Sequence, residues 1–455
     1  MKKAEITAFL SLIFILLITF IGGILDAASI QVAKNYRRCD AERAMECIFA
    51  EYQKELLKEY DIFGMDAGYE SGDYSENLIF KRMEEYGFVN AENTIERIKF
   101  LSDESARSFV EQVSHYMEHK YGLDMILDDL SNTDIWESQG SGTEIYEEEE
   151  KQNQDYLNDL LEENGVSLPE ENNPMAHVNG LKQTPVLNLV VPEGKSVSEK
   201  TVNLSELPSR RNLNQGYGDF SDEEKGITNT DKLLFGEYIL EHFDSFTDQD
   251  GNVLAYEVEY TIAGRDSDRE NLKAVVNQLL LLRFVPNYTY LQTSAEKKAE
   301  ADALALTLSS LLAVPAITEA VSQGILLSWA FGESLVDVRT LLNGGKVPLT
   351  KDNDSWQLSL SALLKLGENG DMNDGMDHQD GLCYEEYLKM LLFLEKKEGI
   401  AMRCLDLMEQ NLKKIHGLDF FRVDTIVTKM EIIKTASQAE REYIGLTNGI
   451  LDQAC

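Results

Sequence analysis

The chain has 455 residues, of which 43% are hydrophobic and 27% are charged, the balance of a globular protein rather than a disordered one. Its 80 acidic and 42 basic side chains give a formal net charge of −38 at pH 7. A field of this sign repels polyphosphate and anionic headgroups, so the composition argues against nucleic acid as a partner.

Residues 6–25 form an apolar stretch without an ionisable side chain. At about 1.5 Å per residue, a helix of this length covers roughly 30 Å, the hydrocarbon thickness of a bilayer, which predicts a transmembrane helix. A cleavable signal is the alternative, with Ala27, Ala28 and Ser29 as its cleavage site, but signal h-regions are shorter, about 7–15 residues. We therefore expect an uncleaved anchor that contacts the lipid bilayer through residues 6–25.

The sequence after the span predicts that the helix continues as a stalk. Residues 26–60 contain no proline or glycine, and apolar residues recur every three to four positions. Gly64 then opens a loop-like cluster of Gly, Asp and Ser. The apolar stripe consists of Ala41, Met45, Ile48, Tyr52 and Leu56.

The rest of the chain predicts a mixture of helices and strands. Alternation of apolar and polar residues over 254–262 predicts a half-buried strand, and an apolar run bounded by prolines predicts a short strand near 184–192. Between 268 and 343, three predicted helices are apolar nearly all round, which places them at the centre of a core. Arg283 lies in one of them, either paired inside that core or exposed. A last strand is predicted from Phe420 onwards.

The expected fold class is helix-rich α+β, in which a transmembrane helix continues into a long stalk helix and a mixed helical and strand domain outside the cytoplasm. The expected order is a tail at 1–5, a transmembrane helix at 6–25, a stalk helix at 26–63, a helical region at 64–130, an acidic, turn-rich region at 131–230 that is a linker or partly helical, and a main α+β domain at 231–455.

The sequence lacks the motifs of common catalytic sites. A Gly-rich phosphate loop, a GxSxG elbow, an HExxH pair and a Cys/His arrangement are all absent. His115 and His119 lie four residues apart on a predicted helix, but this half of a metal site has no third ligand, so we interpret it as a solvated face. We therefore expect a non-enzymatic protein without a resident cofactor.

One acidic loop, GENGDMNDGMDHQDG, is a candidate cation site. It is rich in the oxygen donors that Ca²⁺ prefers, although its glycines fit no fixed calcium-loop pattern. A flexible, solvated loop is the alternative interpretation. The candidate ligands are Asp371, Asn373, Asp374, Asp377 and Asp380.

The five cysteines show no CxxC spacing and do not predict a disulfide framework. Cys39 and Cys47 are about 12 Å apart on a predicted helix, too far to bond. One bridge, such as Cys383 to Cys404, is compatible with a location outside the cytoplasm, where thiols can oxidise.

Charges around the span give two opposed signals of orientation. Lys2 and Lys3 favour a cytoplasmic amino terminus, whereas a basic cluster just after the span counts against export. The cluster consists of Lys34, Arg37, Arg38 and Arg43. We favour export because of the following resemblance.

The stretch KKAEITAFLSLIFILLITFIGGILDAASIQVAKNYRRCDAERAMECIFAEY resembles the start of Tad/Flp pilus-assembly proteins of the TadE/TadG type. The shared features are a short charged tail, one apolar span with Asp26 at its end, a helical continuation and a DAxxA-like step from Asp40 to Ala44. One departure is that Ala4 precedes Glu5, with no glycine upstream for a prepilin peptidase.

Downstream segments, among them EVEYTIAGRDSDRENLKAVVNQLLLLRFVPNYTYL and WAFGESLVDVRTLLNGGKVPLTK, resemble an uncharacterised family of single-span proteins from Gram-positive bacteria associated with Tad-like pilus gene clusters. Together the resemblances imply a minor pseudopilin-like or scaffold component of a Tad/Flp-like pilus or secretion system. They imply a single pass through the cell membrane, a large domain outside the cytoplasm, and other pilin-like or Tad assembly membrane proteins as partners. Two alternatives stay open, a cell-surface sensor or adhesion domain that binds a ligand or Ca²⁺, and a membrane-anchored hydrolase.

Overall fold

The structure, a computed structural model, describes residues 2–88, 92–122, 126–220, 228–249, 251–368, 371, 375–395, 397–435 and 441–445. The chain divides into two units. Unit 1 contains Met1–Glu104, Leu213–Glu224 and Leu418–Cys455, and unit 2 contains Ser105–Asn212 and Lys225–Gly417. The first and last parts of the sequence therefore fold together in unit 1.

Unit 1 combines three helices with one antiparallel sheet. Its elements are α1 (Lys2–Phe49), α2 (Lys54–Tyr60), β1 (Met65–Asp66), α3 (Glu76–Glu85), β2 (Glu92–Phe100), β3 (Ile426–Thr435) and β4 (Arg441–Gly445). The strand order is β1–β3–β2, and β4 also pairs with β3. Strand β3 confirms the last strand predicted from the sequence and begins after a 3₁₀ turn at Val423–Thr425.

The carboxyl-terminal end of α1 lies in the core of unit 1. Ala41, Ala44, Met45 and Ile48 are at most 1% exposed and belong to the same apolar cluster as residues of α3, β2 and β3. The predicted stripe is thus confirmed along α1. Burial of its apolar area, worth about 25 cal/mol per Å², holds the end of α1 in this unit.

The stalk helix predicted over 26–63 is wrong at its end, because α1 stops at Phe49 and α2 begins at Lys54. At the break, Tyr52 pairs with Met65, and the Gln53 amide donates to the Gly64 carbonyl at 2.9 Å. These bonds compete with the helical bonds that Tyr52 and Gln53 would otherwise make. Helix propensity over the whole stretch is therefore overridden by tertiary pairing.

Unit 2 is built from helices. They are α4 (Asp103–Tyr121), whose first two residues belong to unit 1, α5 (Leu127–Asn164), α6 (Pro174–Lys182), α7 (Val186–Val190), α8 (Asn229–His242), α9 (Glu257–Ala263), α10 (Asp268–Thr293), α11 (Ala295–Leu311), α12 (Thr318–Leu342), α13 (Leu360–Leu363), α14 (Tyr384–Leu394) and α15 (Lys397–Lys414). Among the described residues, every named strand lies in unit 1, so the helix-rich expectation is confirmed.

The centre of unit 2 is the pair α10 and α12, as the apolar pattern predicted. Helix α12 packs against α10 and α11 and against α5, α6 and α7. Most of its side chains are buried, including Trp329 at 0% exposure. Helix α10 runs through Pro286 as one element, and α14 and α15 follow α13 along the chain.

The strand predicted near 184–192 is instead helix α7. Pro185 precedes its first residue, and the Asn188 amide donates to the Pro185 carbonyl at 2.9 Å. A short apolar run does not distinguish a buried strand from a buried helix by periodicity, and proline suits the start of a helix.

The strand predicted over 254–262 is also wrong, because the segment forms α9. Its apolar positions are buried, but Glu257, Glu259 and Thr261 are equally buried at 0% exposure. The alternation of residue types therefore does not mark a solvent face. The amides of Ala255 and Tyr256, just before the helix, donate to the Asp268 carboxylate rather than to a neighbouring strand.

The acidic, turn-rich region at 131–230 was expected to be either a linker or partly helical. It begins within helix α5 and is therefore partly helical. Trp136 and Leu157 are 2% and 1% exposed and anchor this helix in unit 2. Helix α5 contacts α10, α12, α14 and α8. Its long acidic run hides these widely spaced apolar anchors from a composition-based prediction.

Candidate functional site

One helix of the described residues, over Glu5–Phe49, is long and apolar enough to cross a membrane. Between residues 6 and 25 its large apolar side chains are 43–67% exposed. The Ser11 hydroxyl donates to the Ala8 carbonyl at 2.8 Å, and the Thr19 hydroxyl donates to the Ile15 carbonyl at 3.0 Å. These hydroxyls are satisfied within the helix, as a lipid environment requires.

The basic cluster after the span is partly paired along the helix surface. Arg38 Nε lies 2.8 Å from Glu42 Oε1, and Arg43 Nη2 lies 2.9 Å from Asp40 Oδ1. Acidic residues contribute little to the orientation of a span, so these pairs leave the opposed signals in place. Orientation remains a prediction.

A fully buried ionic network joins α10, α12 and the segment after α12. Arg283 Nε donates to Asp337 Oδ2 at 3.0 Å, and Lys351 Nζ donates to Asp337 Oδ1 at 2.7 Å and to Glu333 Oε1 at 2.6 Å. The side chains of all four are 0% exposed. The two cations and two acids balance each other, which is the condition for burying charge at tolerable cost.

Hydrogen bonds extend this network into the surrounding loops. The amides of Gln357 and Leu358 donate to Glu333 at 3.0 and 2.8 Å, and Arg283 Nη1 donates to Tyr387 Oη at 2.8 Å. Burial alone would raise the pKa of Asp337, but the Lys351 ammonium and the Arg283 guanidinium hold that pKa below its ordinary value. Asp337 therefore stays ionised, and the network fixes the segment 346–358 on the core.

Four other buried carboxylates each hold a loop of unit 2. Asp268 accepts hydrogen bonds from the backbone amides of Ala255 and Tyr256 at 2.9 and 3.2 Å. Glu257 accepts from the Asp244 amide at 3.1 Å, and Glu259 accepts from the Phe246 amide at 2.9 Å. Asp406 accepts from the Ser209 amide at 2.7 Å. A buried backbone N–H without a partner costs free energy, and these acids satisfy such groups. These acids therefore have a structural role, because each one holds a loop in place through backbone hydrogen bonds.

None of these four acids forms an ion pair with a described residue. Burial raises the pKa of Glu257 to about 8, that of Glu259 to about 7 and that of Asp406 to about 6. By contrast, Arg211 Nη1 donates to Glu409 Oε1 at 2.7 Å in a two-bond contact. Unit 2 therefore contains two kinds of buried acid, those neutralised by cations and those held only by neutral donors.

The predicted calcium ligands are only partly described, because Asn373 and Asp374 lie outside the described residues. Asp371 Oδ2 accepts from Arg339 Nη1 at 2.7 Å and from the Gly367 amide at 2.8 Å. Asp377 Oδ1 accepts from the Lys346 amide at 2.8 Å. Asp380 lies in a turn, and within the described ranges no group of three or more His, Cys, Asp or Glu residues could hold a metal ion. A calcium site at 371–380 stays a prediction.

A surface depression of about 560 Å³ lies between α10, α11 and α12. Its polar lining includes Lys298, Asp302, Glu319 and Ser322. The Ser322 hydroxyl already donates to Asp302 at 2.6 Å.

His115 and His119 lie on α4, as predicted, and Cys383 and Cys404 are both free thiols.

Sequence reasoning missed the buried acids of α9. The polar positions of its alternating pattern were assigned to solvent, so Glu257 and Glu259 were not considered as core residues. A signal was available, since Gly264 directly after the segment, with a φ of 61°, is the residue that typically ends a helix. Reading α9 as a helix would have placed acids on more than one of its faces.

Residues 164–437 match a family described as a family of unknown function (DUF5702). The match extends from the last residue of α5 to just beyond β3 and covers more than half of the 455 residues. No curated protein and no solved structure matches the chain.

Proposed function

The chain belongs to DUF5702, a family of unknown function, and we propose that it is a non-enzymatic, membrane-anchored component of a Tad/Flp-like pilus or secretion system. In this proposal α1 is the anchor and the remainder of the protein lies outside the cytoplasm. It serves as a minor pseudopilin-like subunit or an assembly scaffold, and its partners are other pilin-like or Tad assembly membrane proteins.

The observation that carries the proposal is the two-part character of α1. Residues 6–25 are apolar and exposed, whereas Ala41, Ala44, Met45 and Ile48 are buried in unit 1. Both parts belong to one uninterrupted helix, so the anchor is joined to a folded unit without a flexible linker. A helix with apolar residues all round that leaves its own unit is suited to lipid and to the spans of other subunits.

The DAxxA-like step shared with TadE/TadG-type proteins has a physical role here. Ala41 and Ala44 are 0% exposed, and their small side chains let α3 and the sheet approach α1 closely. Asp40 lies on the outer side and pairs with Arg43. The residues of the resemblance therefore include those that fix the helix in its unit, which supports the proposed relationship.

The buried acids support a scaffold rather than a catalyst. Glu333 and Asp337 contact Lys351, while Glu257 and Asp268 accept hydrogen bonds from loop amides. These four acids are thus bonded to backbone amides, amide side chains or cations of the protein itself. Such arrangements rigidify unit 2, and a rigid unit can present a constant surface to neighbouring subunits.

Site-specific photo-crosslinking in cells that carry the assembly genes tests the proposal. A photoreactive phenylalanine analogue at Phe14 or Phe20, which are 64% and 67% exposed, is expected to crosslink to pilin-like single-span subunits of the same assembly. The same analogue at Phe49, which is 7% exposed, provides a matched buried control and is expected to give no such product. Membrane-inserted protein that crosslinks at Phe14 and Phe20 to lipid alone would contradict the proposal.

A further inference from the structure

Glu259 has an unusual setting for a carboxylate. Its side chain is 0% exposed, and its Oε1 accepts hydrogen bonds from the Phe246 amide at 2.9 Å and from Tyr384 Oη at 2.8 Å. Its Oε2 is buried and has no hydrogen-bond partner among the described residues. One oxygen of this acid is therefore fully engaged, while the other is removed from water without compensation.

Among the described residues, no cation is paired with Glu259. It forms no ion pair with a described residue, whereas Asp337 in the same unit contacts both Lys351 and Arg283. A buried carboxylate without a cation is costly to ionise, and the ordinary response is to bind a proton. The geometry thus separates Glu259 from the acids of the core that contact cations.

The charged and titratable side chains near Glu259 are acids, phenols, a thiol and two cations. Both cations donate hydrogen bonds to backbone carbonyls. The cations are Arg403 of α15, which donates to the Thr261 and Ile262 carbonyls, and Lys195, which donates to the Leu342 carbonyl. The titratable and charged groups of this region are Glu257 on α9, Asp244 and Tyr256 before it, Asp268 on α10, Tyr384 on α14, Lys195 beside Phe246, and Arg403, Cys404 and Asp406 on α15.

We propose that Glu259 is a proton-binding site that couples the attachment of the segment 243–249 to the pH of its surroundings. In its neutral form Glu259 accepts the Phe246 amide and needs no solvation of a charge. When Glu259 is ionised, its buried charge lacks hydration. Opening of the segment lets water reach Oε2, which lowers the free energy of the carboxylate. Proton release therefore favours an open segment, and proton binding favours the closed one.

The direction of the pH effect follows from linkage. Burial raises the pKa of Glu259 to about 7, above the ordinary value of about 4.3 that the open segment restores. Between about pH 5 and about pH 7 the closed form holds a proton that the open form releases, so the opening equilibrium constant rises up to about tenfold per pH unit. Above that window both forms are ionised, and the contribution of Glu259 becomes constant.

Hydrogen exchange of the detergent-solubilised full chain tests this proposal. The protection of the Phe246 amide and its neighbours is measured from about pH 5 to about pH 8, relative to the exchange rate of an unstructured peptide at each pH. Glu259→Gln retains an acceptor for Phe246 but has no proton to release. The ratio of wild-type to variant protection is expected to fall about tenfold per unit up to about pH 7 and then to level off. The nearby Glu257 is unchanged in both proteins, so the ratio isolates Glu259.

Glu270→Gln, an exposed acid on α10, is the matched control and is expected to follow the wild type at every pH. A wild-type to Glu259→Gln ratio that is constant across the range would overturn the proposal. If Glu259→Gln does not fold, Tyr384→Phe provides the second variant. It removes a donor that stabilises the ionised form and so raises the pKa of Glu259 in the closed form. The pH at which protection levels off is therefore expected to rise, and an unchanged levelling-off pH would equally overturn the proposal.

Discussion

Replacement of Arg283 by alanine tests the buried ionic network of unit 2. The substitution removes hydrogen bonds to Asp337 Oδ2 at 3.0 Å, Tyr387 Oη at 2.8 Å and the Leu349 carbonyl at 3.2 Å. It also leaves two buried acids against the single cation Lys351. Breaking a buried pair by removing one partner costs about 3–5 kcal/mol, and we expect a loss of unfolding free energy in this range.

The assay is urea unfolding of the full chain in detergent, followed by tryptophan fluorescence. The protein's three tryptophans, Trp136, Trp329 and Trp356, are all buried in unit 2, so the signal reports the unit that carries the substitution. Arg269→Ala is the matched control, because Arg269 pairs with Glu199 at the surface and is expected to contribute about 0–1 kcal/mol.

The double variant Arg283→Met with Asp337→Leu separates charge imbalance from loss of packing. It removes one cation and one acid together and leaves the Lys351–Glu333 pair intact. We expect it to lose less stability than Arg283→Met alone, since both partners of the pair are absent. An Arg283→Ala loss below about 0.5 kcal/mol, or a double variant less stable than the single one, would refute the reasoning about this network.

Three further predictions concern other parts of the chain. Phe14→Lys places a charge in the exposed apolar part of α1 at a cost of roughly 2.5–3.5 kcal/mol and should abolish membrane fractionation, whereas Tyr36→Lys, beyond the predicted span, should not. Gly332→Ala should destabilise unit 2 by about 1–3 kcal/mol in urea unfolding, because the new Cβ would lie 2.4 Å from a leucine methyl. Gly180→Ala, with nothing within 4 Å, should instead stabilise its helix by about 0.5–1 kcal/mol. Millimolar Ca²⁺ should not shift the thermal midpoint, because Asp371 already pairs with Arg339, and a clear upward shift would favour the sensor alternative.

The sequence was sufficient where one physical requirement dominates a long segment. Residues 6–25 were predicted to be a long apolar helix because charge is absent, and α1 is apolar and long enough there to cross a membrane. Helices α10 and α12 were predicted to be core helices because they are apolar nearly all round, and both are largely buried. The position of Arg283 within such a helix left two readings, paired or exposed, and the structure shows that it is paired. Long, strongly periodic elements carry enough signal to be recognised without tertiary information.

The sequence was insufficient where tertiary contacts decide. The end of α1 depends on the pairing of Tyr52 with Met65, and α9 depends on the Asp268 carboxylate that holds the preceding amides. Neither contact leaves a periodic trace in the local sequence. The apolar pattern of 254–262 indicated burial correctly, but it could not show that Glu257 and Glu259 are buried as well.

The candidate site was the least predictable part of the protein. Among 80 acidic side chains, composition does not distinguish Glu259 from a surface glutamate, because the distinction depends on neighbours that are distant in the sequence. Asp371 was selected for its local density of oxygen donors, and the structure shows its carboxylate bonded to Arg339. The partners of a buried acid are a property of the fold rather than of the local motif.

Protease accessibility of the chain after Gly64 in intact cells, compared with lysed cells, tests the central claim most directly. The proposal of a membrane-anchored assembly component predicts digestion in intact cells, because it places both units outside the cytoplasm. Protection until lysis would contradict it. That result would make the basic cluster of Lys34, Arg37, Arg38 and Arg43 the governing signal of orientation and would place the protein on the cytoplasmic side of the membrane.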